Sequence, residues 1–243
     1  MKLLVCTSNQ RRHVAFVRAL VGAKHDVVTI VEPKTWRVPQ SAVMAKYWSA
    51  VRAAECEIFG DDDVLMPTPV ITLQPGELSH FSYARRFLNE VRRPIVFSSS
   101  YLTGDLALRF VAAGALNLHV GIAPEYRGSA PNFWALYDGH PELVGAQVQR
   151  LSTTLDGGEI LAEVRPPGDR IVVWPPFMAT ADPYRRGMLA VQHGITAMVN
   201  VLTHPELEWR SVRPNDKALQ LRYARHADFT EDVVRDYLER IGR

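Results

Sequence analysis

The chain has 243 residues, 47% of them hydrophobic and 22% charged, with a formal net charge of +2. That length suits one large domain, or one domain with a small appendage, and the composition is that of an ordinary soluble globular protein. The small charge argues against a nucleic-acid partner, Cys6 and Cys56 lack metal-type spacing and fit a reducing cytosol, and no run approaches the roughly 20 apolar residues of a membrane span; the expectation is a soluble cytoplasmic protein with no membrane partner.

Leu3-Leu4-Val5-Cys6 make residues 2–6 an apolar run, as a strand buried on both faces requires. Ser8 or Asn9 is the expected cap of a helix whose Val14, Val17, Leu20 and Val21 share a face, with Gly22 at its end. A second strand at 26–31 makes the opening β-α-β, the start of a doubly wound sheet. The connecting turn, Thr7-Ser8-Asn9-Gln10-Arg11, has no glycine, so a G-x-G-x-x-G dinucleotide fingerprint is absent. Two readings of this turn stay open: a phosphate at the helix N-terminus beside Arg11, or an ordinary cap with surface arginines.

Residues 32–60 read as an irregular or helical insertion. Pro33 and Pro39 break its start, and Val43, Tyr47, Ala50 and Val51 then give a helical face. Asp61, Asp62 and Asp63 follow it; consecutive carboxylates mark a solvated turn more often than a metal, and no metal site is expected. Next come a short strand at 70–73, a helix at 78–91, an apolar strand at 94–97, a helix at about 105–113 and a strand at 115–120. A short helix at 131–137 puts Phe133 and Trp134 in the core, and strands at 144–151 and 159–164 flank a Leu-Asp-Gly-Gly turn. A helix at about 183–202 carries an apolar stripe of Met188, Val191, Ile195, Met198 and Leu202. From His204 the chain becomes a small module: 219–223 alternate like a strand, Thr230 caps a last helix, and Phe229 and Val234 occupy the two positions of a hydrophobic staple. The expected organisation is a catalytic domain at 1–203 and a C-terminal extension at 204–243.

The chemistry concentrates in 115–161. Leu116, Leu118 and Val120 face one side of a strand, so Asn117 and His119 share the other, just before a loop broken by Gly121 and Pro124. Polar groups at a strand's carboxyl end lie where open α/β sheets bind ligands. Asp156, in the Leu-Asp-Gly-Gly turn, is a carboxylate that only the fold can bring to the imidazole.

Asn117-x-His119, then Pro124-Glu-Tyr126-Arg127-Gly128-Ser-Ala-Pro131 and Trp134-Ala-Leu136, ending in Leu155-Asp156-x-Gly158-Glu-Ile-Leu161, resembles the folate-dependent formyltransferase family. The resemblance is densest over 115–161 and weaker over 1–114 and 162–203. It implies a Rossmann-like, mostly parallel doubly wound sheet and 10-formyltetrahydrofolate as co-substrate. It further implies that Asn117, His119 and Asp156 are catalytic, and that Ser99, Tyr101, Leu102 and Asp156 lie near the pterin. Ser8, Asn9, Arg11, Tyr126 and Arg127 are the implied acceptor contacts. Val120, the Gly121-Ile-Ala-Pro124 loop and Ser152 depart from the family's commoner residues, and all three reactive positions survive. In the family, chains of this kind often associate through the C-terminal segment, which makes a homodimer an expectation.

Among acceptors, methionyl-tRNA would favour a longer, basic C-terminal domain, and residues 204–243 carry no concentrated charge. A glycinamide ribonucleotide enzyme carries a Gly-Ser-Asn loop, of which only Ser8-Asn9 remain. A hydroxylated amino acid is a further candidate. The expected partner is a small-molecule primary amine, that of a nucleotide-linked amino-deoxysugar, as in the sugar N-formyltransferases. The competing readings are a formyltetrahydrofolate hydrolase and a non-catalytic Rossmann-like module.

Overall fold

A computed structural model describes residues 1–34, 41–61, 65–80, 84–91, 93–97, 102–165, 182–204 and 211–241. Its centre is a seven-stranded sheet in the order β3-β2-β1-β4-β5-β7-β8. β1 (Lys2–Thr7), β2 (Asp26–Val31), β3 (Val70–Thr72), β4 (Arg93–Val96) and β5 (Leu116–His119) are parallel. β7 (Ala146–Arg150) and β8 (Ile160–Val164) extend the sheet antiparallel from β5. This is the Rossmann-like doubly wound arrangement. The strand order reverses between β1 and β4, which opens a crevice beyond their carboxyl ends.

Alternation along β1 shows why its sequence is apolar throughout. Leu3 and Val5 join a core with α1 (Arg11–Gly22) and α6 (Pro183–Thr203), through Phe16, Val17, Leu20, Ile195 and Met198. Leu4 and Cys6 point the other way, toward Leu106 and Phe110 of α4 (Gly104–Ala112). A third cluster lies off the sheet. Tyr47 of α2 (Ala42–Phe59), Phe133 and Trp134 of α5 (Pro131–Tyr137), Leu189 of α6, and Val234 and Tyr237 of α7 (Glu231–Ile241) pack there. A small two-stranded sheet pairs β6 (Tyr126–Gly128) in parallel with β9 (Arg222–Ala224), so the tail returns to the loop that follows β5.

Three expectations need correction. The cap of α1 is Gln10, without a side-chain bond. Ser8 and Asn9 are occupied elsewhere: the Ser8 hydroxyl donates to Asn9 Oδ1, which accepts the Lys34 N–H at 2.8 Å. Residues 78–91 hold a 3-10 turn at Leu78–His80 and a short helix, α3 (Ala84–Leu88), because buried Glu32 takes the Leu78 N–H at 2.7 Å and fixes the turn there. Residues 219–223 divide into a 3-10 turn, Lys217–Leu219, and β9; both the Leu221 and Arg222 N–H groups donate to the Glu125 carbonyl. β6 was not foreseen, since three residues ending in glycine carry no period. Of the acidic triplet, Asp61 pairs with Arg11 at 2.9 Å, and Asp62 and Asp63 lie outside the described residues.

Candidate active site

Leu116 and Leu118 anchor β5 in the main core, which turns Asn117 and His119 toward the crevice. Pairing of Val96 with Asn117 and of Asn117 with Gln149 puts the amide between β4 and β7. β7 has an irregularity between Val148 and Gln149, opposite that point. Asn117 lines the cleft, and its carboxamide has no hydrogen-bond partner among the described residues.

His119 is buried with both ring nitrogens on acceptors. Nδ1 lies 3.1 Å from Asp156 Oδ1, and Nε2 lies 3.2 Å from the Tyr126 carbonyl. Burial alone would lower the ring's pKa, but the Asp156 charge and hydrogen bond, with the Tyr126 carbonyl, raise it overall. Burial likewise pushes the Asp156 carboxyl up, and the His119 charge and hydrogen bond, the Gly128 N–H and the Arg127 charge bring it below its ordinary value. The pairing favours the charged forms of both groups, with only 6% and 8% of the side chains exposed. The remaining Asp156 oxygen accepts the Gly128 N–H at 2.9 Å.

Asp156 sits at φ 49°, in the left-handed region, so its turn needs outside support. Asn215 of the C-terminal extension supplies it. Its Nδ2 donates to the carbonyls of Asp156 at 2.9 Å and Gly158 at 2.7 Å, while its Oδ1 accepts from Arg127 at 2.7 Å. Arg213 secures the same segment: its guanidinium grips both Glu125 oxygens, Glu163 Oε2 and the Ala123 carbonyl. Two glycines permit the approach. A Cβ on Gly128, at φ 90°, would lie 2.1 Å from the Ala224 carbonyl oxygen, and one on Gly158 would lie 1.7 Å from that of Arg150.

The cleft over this constellation has a volume of about 640 Å³. It reaches Asn117, His119, Asp156 and Leu102 among the residues singled out from sequence. Ser99 and Tyr101 lie outside the described residues. The other five do not line it. Ser8 and Asn9 are turned to one another, and Arg11 is tied to Asp61 and the Gly60 carbonyl. Tyr126 is buried with its hydroxyl donating to Asp138, and Arg127 holds Asn215. The side chains of Tyr126 and Arg127 are both buried in the short β6. The cleft is instead lined by Gln10, Arg12, His13, Lys34, Trp48 and Tyr223, among others. His13 stacks on Phe97 at 4.2 Å, and burial keeps its pKa well below the ordinary value. Sequence spacing gave no cue to these residues, apart from the helical face that contains Tyr47 and Trp48's neighbours.

Residues 95–169 match the sequence profile of the formyl transferase family. Solved structures resemble nearly the whole chain. A 4-N formyltransferase from Francisella tularensis is 15% identical, with TM-score 0.57 and coverage of 98% of this chain and 86% of its own. A formyltransferase from Anoxybacillus kamchatkensis, in complex with UDP-4,6-dideoxy-4-formamido-L-AltNAc and tetrahydrofolate, is 16% identical, with TM-score 0.50 and coverage of 94% and 87%. A phosphoribosylglycinamide formyltransferase from Anaplasma phagocytophilum is 13% identical, with TM-score 0.55 and coverage of 86% and 88%. The profile match takes in the stretch that carries the amide, the imidazole and the carboxylate, and the fold around it is similar to that of these solved formyltransferases.

No helix among the described residues is long and apolar enough to cross a membrane, and none of their His, Cys, Asp and Glu groups could hold a metal ion.

Proposed function

We propose that this chain is an N-formyltransferase that moves the formyl group of 10-formyltetrahydrofolate to the primary amine of a nucleotide-linked amino-deoxysugar. The observation that carries the reading is the Asn117 amide, without a hydrogen-bond partner among the described residues, beside a buried His119–Asp156 pair at 3.1 Å, in one cleft. The Anoxybacillus neighbour, with its formamido-sugar nucleotide and tetrahydrofolate, supports the substrate pair. So does the cleft wall: Val96, Phe97, Leu102, Leu151 and Leu155 offer an apolar slot beside the 152–158 turn, which suits a flat heterocycle with polar edges.

In this reading the amine nitrogen attacks the formyl carbon and the carbonyl pair moves to oxygen. Asn117 donates an amide N–H to that oxygen. His119 sets its charge nearby. With both nitrogens facing acceptors that favour the charged ring, it serves in this reading as a fixed cation rather than as the base. Asp156 holds the ring and relays the proton shed by the amine, through water, to the leaving N10 as its bond to carbon breaks. Products are the formamide and tetrahydrofolate.

Residues 1–203 then form the catalytic body, and 204–243 complete it by holding the Asp156 turn. A homodimer formed through the exposed Leu219 and Leu221 of that extension belongs to the same proposal, and sedimentation velocity on the parent and on Leu221→Asp tests it.

The deciding experiment incubates the protein with 10-formyltetrahydrofolate and separate acceptors: UDP- and dTDP-linked 3-amino and 4-amino deoxysugars, glycinamide ribonucleotide, methionyl-tRNA, and water alone. Mass spectrometry reads the products. A formamide on an amino-deoxysugar nucleotide is the expected result. Formamide only on another acceptor would overturn the sugar reading. Formate release without any amine would indicate a hydrolase.

A further inference from the structure

Among the described residues, a cation in the cleft has no carboxylate within ion-pair distance. Lys34, three residues past the end of β2, lines the cleft with its ammonium 5.8 Å from the centre of the Trp48 ring. No carboxylate among the described residues lies within ion-pair distance of it. Its neighbour Arg12 is satisfied: the guanidinium pairs with Glu55 at 2.9 Å and donates to Gln10 at 2.8 Å. Arg12 and Glu55 therefore cancel, and the Lys34 charge is the surplus. Burial, followed by repulsion from Arg12, lowers the Lys34 pKa against the pull of Glu55. A half-buried lysine in this position gains most when an anion arrives.

We propose that Lys34 binds an anionic group of the acceptor substrate, a phosphate in the linkage of the nucleotide, with Trp48 as the flat apolar wall beside it. The inference rests on the formyltransferase reading for the identity of the substrate, and not for the existence of the site. Lys34 follows β2, whereas the apolar slot suited to a pterin lies by β4 and the 152–158 turn, across the switch point from it. The other anion in such a reaction is the glutamate tail of the folate, and the test separates the two sources.

Isothermal titration calorimetry of the parent, Lys34→Met and Lys34→Arg uses three probes: UDP, inorganic pyrophosphate and folinic acid. The parent is expected to bind UDP and pyrophosphate. Lys34→Met should weaken both by about tenfold or more, as loss of a charge-assisted contact does, and leave folinic acid unchanged. Lys34→Arg should stay within a few-fold of the parent. Equal diphosphate affinity in parent and Lys34→Met, or no diphosphate binding by the parent, overturns the proposal. A loss confined to folinic acid also overturns it, by giving the lysine to the folate tail. Because calorimetry needs no turnover, a protein that binds diphosphate through Lys34 and transfers no formyl group would refute the activity and leave this site standing.

Discussion

At the scale of single residues, Asn117, His119 and Asp156 divide the work by what surrounds each. The amide lines the cleft without a hydrogen-bond partner among the described residues, and the imidazole and carboxylate are committed to one another. Asn117→Ala, His119→Ala and Asp156→Ala are each expected to slow turnover roughly a hundredfold or more, about 3 kcal/mol of barrier for a lost oxyanion donor. Steady-state rates, with circular dichroism to confirm folding, check this. The pair also sets a pH signature. The depressed Asp156 carboxyl adds stability that is full above its unfolded value of 3.8 and is lost as pH falls through the lower folded value. The raised His119 ring adds stability that is full below 6.5 and is lost as pH rises through the higher folded value. Thermal melts of the parent and Asp156→Asn should therefore differ most between pH 3.8 and 6.5 and converge on either side. A difference that does not change with pH would refute the charged pair.

The next scale is that of strands and turns, where the site depends on close approaches. β6 and β9 meet because Gly128 has no side chain, and Gly128 donates its N–H to Asp156 from that position. Gly128→Ala is expected to cost at least about 1–3 kcal/mol through its left-handed backbone, a fall in Tm of roughly 2–4 °C per kcal/mol in a chain this long. This scale also marks what was legible in advance. Buried strands and amphipathic helices declare themselves by period, so β1, α1, β5, α5 and α6 were readable from apolar spacing. β6 and Asn215 were not: a three-residue strand has no period, and an asparagine far along the chain shows its purpose only when folding places it under the Asp156 turn. The cleft-lining residues of the β1–α1 turn are a similar case. The family resemblance implies Ser8, Asn9 and Arg11 there, while Gln10, Arg12 and His13 are the residues that line the cleft.

Across the whole molecule, the sheet supplies the crevice and the C-terminal extension closes the machinery. Asn215 reaches the Asp156 turn and Arg213 the Glu125 loop, while Phe229 and Tyr237 pack on Tyr47 and Phe133. Asn215→Ala is expected to lower kcat by about tenfold to a hundredfold, the effect of displacing a reacting group by an ångström or so. KM for the amine should change little, and the pH profile should move toward an unpaired His119. A variant that loses only thermal stability would make Asn215 a structural residue. Truncation after Thr203 should strip the aromatic cluster of its α7 side and abolish a cooperative melt, which calorimetry would show.

The proposed activity stands or falls on one reaction at one carbon. With 10-formyltetrahydrofolate labelled by ¹³C in its formyl group, NMR should show the label leaving the folate and appearing as a formamide on the amine of an amino-deoxysugar nucleotide. The signal should be strong with the parent chain and nearly absent with Asn117→Ala. Label that stays on the folate with every amine offered, or moves equally well without the Asn117 amide, would contradict it.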